Sequence, residues 1–206
     1  MSELHLVVGL GNPGAKYAAT RHNIGQLVLD LLAARAGEKF RRPARINAEV
    51  AEARLPAVGH PTGVRAILAK PLTFMNVSGG PVAGLVKYYG IAPEHVVVVH
   101  DDVDLPFDTV RLKLGGGEGG HNGLRDISRA LGTRDYLRVR LGVGRPVGRQ
   151  DTADYVLSRF SSTEVAILPA LIDDGADAVV QVLTEGLLAT QGRFHAPRNL
   201  SESGKG

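Results

Sequence analysis

The 206-residue chain contains no cysteine. Disulfides, thiolate nucleophiles and cysteine-based zinc sites are therefore excluded. No apolar stretch approaches the ~20 residues that a membrane helix requires. The N-terminus, "MSELHLVV", lacks the basic flank and long apolar core of a secretory signal. A cytoplasmic globular protein fits these absences. G-x-S-x-G and H-E-x-x-H are also absent, so neither a serine-nucleophile elbow nor a helical zinc pair has support. Neither charge sign dominates: 24 Lys and Arg against 21 Asp and Glu leave a formal net charge of +3. That excess suits a polyanionic partner without demanding one. No internal repeat or interdomain linker interrupts the chain, and its length suits one well-buried domain.

What is present alternates between two periods. Residues 4–9 read as a short buried strand. "NIGQLVLDLLAARAG" sets Ile24, Leu27, Val28, Leu31 and Leu32 on one helical face, with Gly37 as its stop. "INAEVAEARL" and "VRAILAK" read as a hairpin around "PAVGHPTG". Ser78 is placed to cap a helix through "GGPVAGLVKYYG", which Gly90 would end. "HVVVVHDD" has the composition of a strand buried on both faces, as in a parallel sheet. "TVRLKL", a helix "LRDISRALG" and a strand "YLRVRLGVG" follow. Ser161 and Glu164 have capping-box spacing before a long helix that Pro169 would kink or divide. The expected organisation is one α/β domain over residues 1–190, a twisted, mixed and largely parallel sheet flanked by helices, with residues 191–206 as a flexible tail.

In such sheets ligands bind beyond the carboxyl ends of the strands. Four polar segments follow predicted strands: "GNPGAKYAATRHN", "KPLTFMN", "HDDVD" and "GGGEGGHN". If those strands are parallel, the four loops meet at one edge. The first contains G-x-G-x-x-G at Gly9, Gly11 and Gly14. A dinucleotide site needs a helix that opens within this motif and an acid ~20 residues on, at a second strand's end. Here Pro13 interrupts the motif, the helical period starts near Asn23, and Asp30 falls inside it. The glycines instead suit a sharp turn that presents Asn12 and leads to Tyr17 and His22.

His22 sits near a predicted helix N-terminus, whose dipole disfavours imidazolium. A neutral imidazole accepts a proton from water, and a carboxylate on its other nitrogen orients it. Asp101, at the end of "VVVVHD", is the candidate partner. Asn12, Asn76 and Asn122 on the converging loops would supply neutral donors and acceptors. Two rival readings stay open. His22, His100, Asp101, Asp102, Asp104 and His121 offer enough ligands for a metal. The strand followed by Asp102 and Asp104 also has the D-x-D form of phosphatases that make an aspartyl phosphate with magnesium. Arg134, Arg138, Arg140, Arg145 and Arg149 crowd one segment, with Lys113 upstream, as a phosphate track or a solvated face.

"VGLGNPGAKYAATRHNIG", "PLTFMNVSG", "HDDVDLP" and "KLGGGEGGHNGLRDI" together resemble the bacterial peptidyl-tRNA hydrolase family, in order across roughly residues 5–145 and more weakly to about 190. The resemblance implies a monomeric α/β hydrolase without metal or other cofactor. It implies cleavage of the ester between a peptide and the 3′ ribose of tRNA, which recycles tRNA from prematurely released peptidyl-tRNA. His22 and Asp101 correspond to the catalytic pair. Asn12, Asn76 and Asn122 correspond to substrate-binding amides, Tyr17 to an aromatic near the tRNA 3′ end, His121 to the histidine beside the third amide, and Met75 to an apolar wall of the peptide cleft. Lys113, Arg140 and Arg149 fall where the family has cations for tRNA phosphates; Arg149 is Lys in some relatives. Glu118 adds an acid to the glycine loop, and Asp104 is expected to structure its own loop.

Overall fold

The computed structural model describes residues 3–196. In chain order its elements are β1 (His5–Gly9), α1 (Ile24–Arg35), β2 (Ala48–Ala57), β3 (His60–Pro71), α2 (Gly79–Tyr89), β4 (Val96–Asp102), β5 (Val110–Leu114), α3 (Asn122–Leu131), β6 (Leu137–Gly142), α4 (Thr152–Val156) and α5 (Ser162–Phe194). Short 3₁₀ turns, Arg21–Asn23 and Met75–Val77, lead into α1 and α2. The six strands lie in the order β2-β3-β1-β4-β6-β5. β3, β1, β4 and β6 are parallel, while β2 and β5 run antiparallel at the two edges.

The valine run forms a central strand because both sheet faces are covered. Val97 and Val99 join Val7, Val139 and Leu141 in a core with Val28 and Leu32 of α1 and Leu171 and Val179 of α5. Val96 and Val98 join Leu6 and Val8 on the other face with Val82 and Leu85 of α2 and Leu124 and Ile127 of α3. Side chains alternate between faces with a period of two, so a strand buried on both sides has no polar register left until it ends. Asp101 and Asp102 mark that end.

The α1 face is rotated slightly from the expected one: Leu29 and Ala33 are buried where Leu27 and Leu31 are only partly covered. Gly25 is the cause. A Cβ there would lie 2.2 Å from the Val99 carbonyl oxygen, so the helix start presses directly onto β4. The opening glycine motif has the same purpose. A Cβ on Gly9 would meet the Gly25 carbonyl at 2.6 Å, and one on Gly11 would meet the Asn23 amide at 2.7 Å. These glycines let helix and strand touch and leave no cradle for a pyrophosphate.

Four expectations need correction. β5 is antiparallel to β6, pairing Leu114 with Leu137, so the glycine loop leaves the wrong edge of the sheet. It must travel from the start of β6 to the end of β4, and the fully buried Arg138 guides it by donating to the Gly116 and Gly117 carbonyls at 3.1 and 2.7 Å. Ser78 makes no side-chain cap; its hydroxyl turns back to the Met75 carbonyl at 2.7 Å. In α5 the backbone leaves helical geometry at Gly186 (φ 82°), not at Pro169, because only glycine adopts that conformation freely. Residues 191–194, expected in the tail, finish α5: Gln191 donates to the Leu112 carbonyl at 3.0 Å, and His195 Nε2 accepts from the Leu112 amide at 3.0 Å. These bonds cover the exposed edge of β5. Residues 197–206 of the expected tail lie outside the described residues.

Candidate active site

A cleft of about 590 Å³ opens at the carboxyl edge of the parallel strands. Each flank is set by a local feature of the chain. The turn after β1 brings Asn12, Tyr17 and His22; the turn after β3 brings Phe74, Met75 and Asn76; the end of β4 brings Asp101; and the start of α3 brings Asn122 and its cap, His121. The cleft therefore gathers every catalytic and substrate-binding candidate named from the sequence.

Asp101 is its centre. One carboxylate oxygen, Oδ2, lies 2.8 Å from His22 Nδ1; the other, Oδ1, lies 2.8 Å from His121 Nε2. Its side chain is 2% exposed. Burial alone would raise its pKa, but the two imidazoles outweigh burial and hold the carboxyl well below the usual carboxylate range. Asp101 is thus ionised, and each facing ring nitrogen must carry a proton.

His121 is held from behind as well. Its Nδ1 accepts from the Gly123 and Leu124 amides at 3.2 and 3.4 Å, capping α3. An Nδ1 that accepts leaves the proton on Nε2, so His121 is a neutral donor to Asp101. His22, Asp101 and His121 are close enough to surround an ion; in this arrangement both facing ring nitrogens meet the Asp101 carboxylate directly. A second such group, Glu3, His5 and His95, lies at the opposite, amino edge of the sheet.

His22 differs from the expectation in one respect. Burial lowers its pKa, but the Asp101 carboxylate more than reverses this and leaves it above the ordinary imidazole value. The ion pair prevails over the helix terminus. With Nδ1–H committed to Asp101, Nε2 carries the lone pair available to a ligand. His100, buried next to Asp101 in β4, is pushed well below the ordinary value, chiefly by burial. It is neutral and donates from Nδ1 to the Asp101 carbonyl at 2.7 Å.

Asn12 is anchored rather than loose. Its amide N–H and carbonyl pair with the Asn23 side chain, each at 2.9 Å, and its Oδ1 accepts from the Met75 amide at 2.7 Å. The Nδ2 group is the donor that remains. Asn76 is exposed on the cleft wall, and Asn122 opens α3 with a long bond from Arg125, 3.4 Å. Tyr17 meets Phe74 edge to face at 6.3 Å.

The basic residues divide. Lys113 and Arg140 line a smaller recess of about 270 Å³ beside the cleft. Lys113 donates to the Gly117 carbonyl at 2.9 Å and Arg140 to Asp102 at 2.8 Å. Burial, then Arg138 and Arg140, lower the Lys113 pKa, and Asp102 and Glu118 oppose the shift. Arg149 is exposed on the loop after β6 and lines neither recess. Asp102 is bonded to Arg140 and the Asp104 amide, and Asp104 to Arg145. Both acids of the D-x-D reading are engaged, and Asp104 ties its loop to that after β6.

Some cleft residues escaped the sequence reading. Phe74 is 57% exposed at the rim; an exposed aromatic beside "MN" was the available signal. Val156 ends α4 and Leu157 follows it; the helix is too short for a visible period. Arg21, beside His22, is buried and donates to Glu164 at 2.6 Å and to the Ser158 hydroxyl at 2.5 Å. It fastens the His22 turn to the segment around α4.

Comparison with known proteins agrees over nearly the full length. The peptidyl-tRNA hydrolase family profile matches residues 6–202. The chain is 60% identical over 195 residues to the peptidyl-tRNA hydrolase of Pseudarthrobacter chlorophenolicus, covering 95% of this chain and 97% of that one. It is 60% identical over 198 residues to that of Kineococcus radiotolerans, covering 96% and 100%. The crystal structure of peptidyl-tRNA hydrolase from Acinetobacter baumannii superposes with a TM-score of 0.84 at 34% identity, covering 95% of this chain and 96% of that one. With the cleft, its shared aspartate and these matches in agreement, the chain belongs to the peptidyl-tRNA hydrolase family.

Proposed function

We propose that the chain hydrolyses the ester linking a peptide, or an N-blocked amino acid, to the 3′ ribose of tRNA, with His22 as general base. The observation that carries this reading is the Asp101 carboxylate shared by His22 and His121, both at 2.8 Å. Asp101 keeps the proton on His22 Nδ1 and so turns the Nε2 lone pair to the cleft. A water gives its proton to Nε2 while its oxygen attacks the ester carbonyl carbon. The carbonyl oxygen takes up the negative charge, met by amide donors of Asn12 or Asn76. One such donor is typically worth about 3 kcal/mol of barrier. The tetrahedral species then expels the ribose oxygen, which recovers the proton from His22. Asp101 stays ionised throughout.

An alcohol leaves more readily than an amine, so a neutral imidazole and hydrogen-bond donors suffice. Tyr17 and Asn122 would hold the 3′ end, while Met75 would face the peptide. Lys113, Arg140 and Arg149 would take tRNA phosphates, making affinity fall with salt. The cleft is complete within one chain, which supports action as a monomer. Among the described residues no helix is long and apolar enough to cross a membrane, in keeping with a cytoplasmic role in tRNA recycling.

The test compares N-acetylaminoacyl-tRNA with free aminoacyl-tRNA, each with and without a chelator. Release of the acetylated amino acid alone, at a rate indifferent to chelator, is expected. Equal cleavage of both esters, or loss of activity on chelation, would overturn the reading.

A further inference from the structure

The turn that carries Asn76 has no cap of its own. Ser78 points back to Met75, so the first amides of α2 lack a local acceptor, although buried amides require one. The acceptor comes from another helix. Asp126 Oδ2, in the middle of α3, accepts from the Gly79 amide at 2.8 Å. Asp126 is 8% exposed, and its second oxygen is held by Arg129. The junction is tight: a Cβ on Gly79 would lie 2.3 Å from the Asp126 carbonyl oxygen, and one on Gly123 would lie 2.5 Å from Met75 Sδ. Met75 is also pinned by Asn12 through its amide. The stretch 75–79 is therefore clamped at both ends. Asn76, between the clamps, makes no side-chain hydrogen bond among the described residues.

From this arrangement we infer that Asp126 is a positioning residue for hydrolysis, acting through Asn76. Its carboxylate locks the amino end of α2 to α3, the helix whose start carries His121 and Asn122, and so fixes the Asn76 amide relative to the His22–Asp101 pair. The inference rests on the proposal that Asn76 contacts the substrate.

A double-mutant cycle tests it, because coupled residues fail to add whereas independent ones add. N-acetylaminoacyl-tRNA hydrolysis is measured for wild type, Asp126→Ala, Asn76→Ala and the double variant, with melting temperature recorded for each. Asp126→Ala is expected to lower kcat/KM about ten-fold in the wild-type background and less than about two-fold in the Asn76→Ala background. Asp126→Asn, whose Oδ1 still accepts from Gly79, is expected to recover most of the loss. Should Asp126→Ala fail to fold, Asp126→Ser takes its place in the cycle, its hydroxyl being too short to reach Gly79. Equal losses in both backgrounds would overturn the inference and leave the Asn76 assignment intact. Wild-type kinetics for Asn76→Ala alone would overturn both.

Discussion

His22 Nδ1 and Asp101 Oδ2 meet at 2.8 Å across 79 residues of chain. The bond forms where two layers of the fold converge: His22 comes from the start of the helix on one sheet face, and His121, on the other oxygen of Asp101, from the start of a helix on the opposite face. A carboxylate bonded on both oxygens cannot turn, so the His22 ring inherits its orientation.

The pH profile should show this bond directly. The proposed base, His22, would act only when neutral, and the Asp101 charge raises its pKa. The acid limb of kcat/KM should therefore lie above pH ~6.5, the ordinary imidazole value. Asp101→Asn removes the charge, so the limb should move to lower pH while the plateau falls by at least about 10²-fold. His22→Ala should lower kcat by about 10²- to 10⁴-fold, with tRNA affinity retained in a filter-binding assay. A limb that stays in place in Asp101→Asn would remove His22 as the titrating base.

His121 has two separable duties. His121→Asn keeps a side-chain oxygen for the α3 cap but loses the donor to Asp101. It should lower kcat about ten-fold with little change in stability. His121→Ala loses both and should also cost about 1 kcal/mol of folding free energy. Urea denaturation beside initial rates separates the two; identical stabilities would mean that the cap contributes nothing.

Arg21 should matter more for stability than its place beside His22 suggests. Its side chain is 7% exposed, and that of Glu164 is 15% exposed. Glu164 also completes the capping box of α5 with Ser161. Arg21→Ala leaves Glu164 without its charge partner and should cost about 3 kcal/mol. Arg21→Lys should recover little, since an ammonium cannot reproduce the fork to Ser158 and Glu164. Guanidinium unfolding measures both, and a loss within about 0.5 kcal/mol would show the network to be incidental.

The basic residues should separate long substrates from short ones. Lys113→Ala or Arg149→Ala should raise KM for full-length N-acetylaminoacyl-tRNA and flatten its salt dependence. A short N-blocked nucleotidyl ester should be hydrolysed as by wild type, and a matching loss on it would point to a general defect. Arg140 is less clean a probe, because Arg140→Ala also releases Asp102 from its bond at 2.8 Å.

Much of the fold was readable because period and punctuation agreed. The valine run of β4, the hairpin and the Ser161–Glu164 box all occur as the pattern implies. Where local signals competed with distant partners, reading failed. Ser78 has the composition of a cap, yet the carboxylate of Asp126, 47 residues beyond Gly79, takes the task. β5 has the pattern of any half-buried strand, and pattern carries no direction; its antiparallel setting follows from pairing with β6. The carboxyl-terminal turn of α5 resembled a tail because its partners, the edge groups of Leu112, are backbone atoms that no side-chain pattern announces.

The site divides in the same way. Residue types and loop positions were enough to name His22, Asp101 and the three asparagines, since chemistry at a strand's end follows from composition and topology. Local order could not reveal that Asp101 serves two imidazoles, that His121 is a neutral donor because α3 amides occupy its other nitrogen, or that His22 is raised rather than lowered in pKa. The first and last depend on distances of about 3 Å between side chains well separated in the chain, and the second on where the start of α3 is set against β4. Only packing of the helices against the sheet sets such distances.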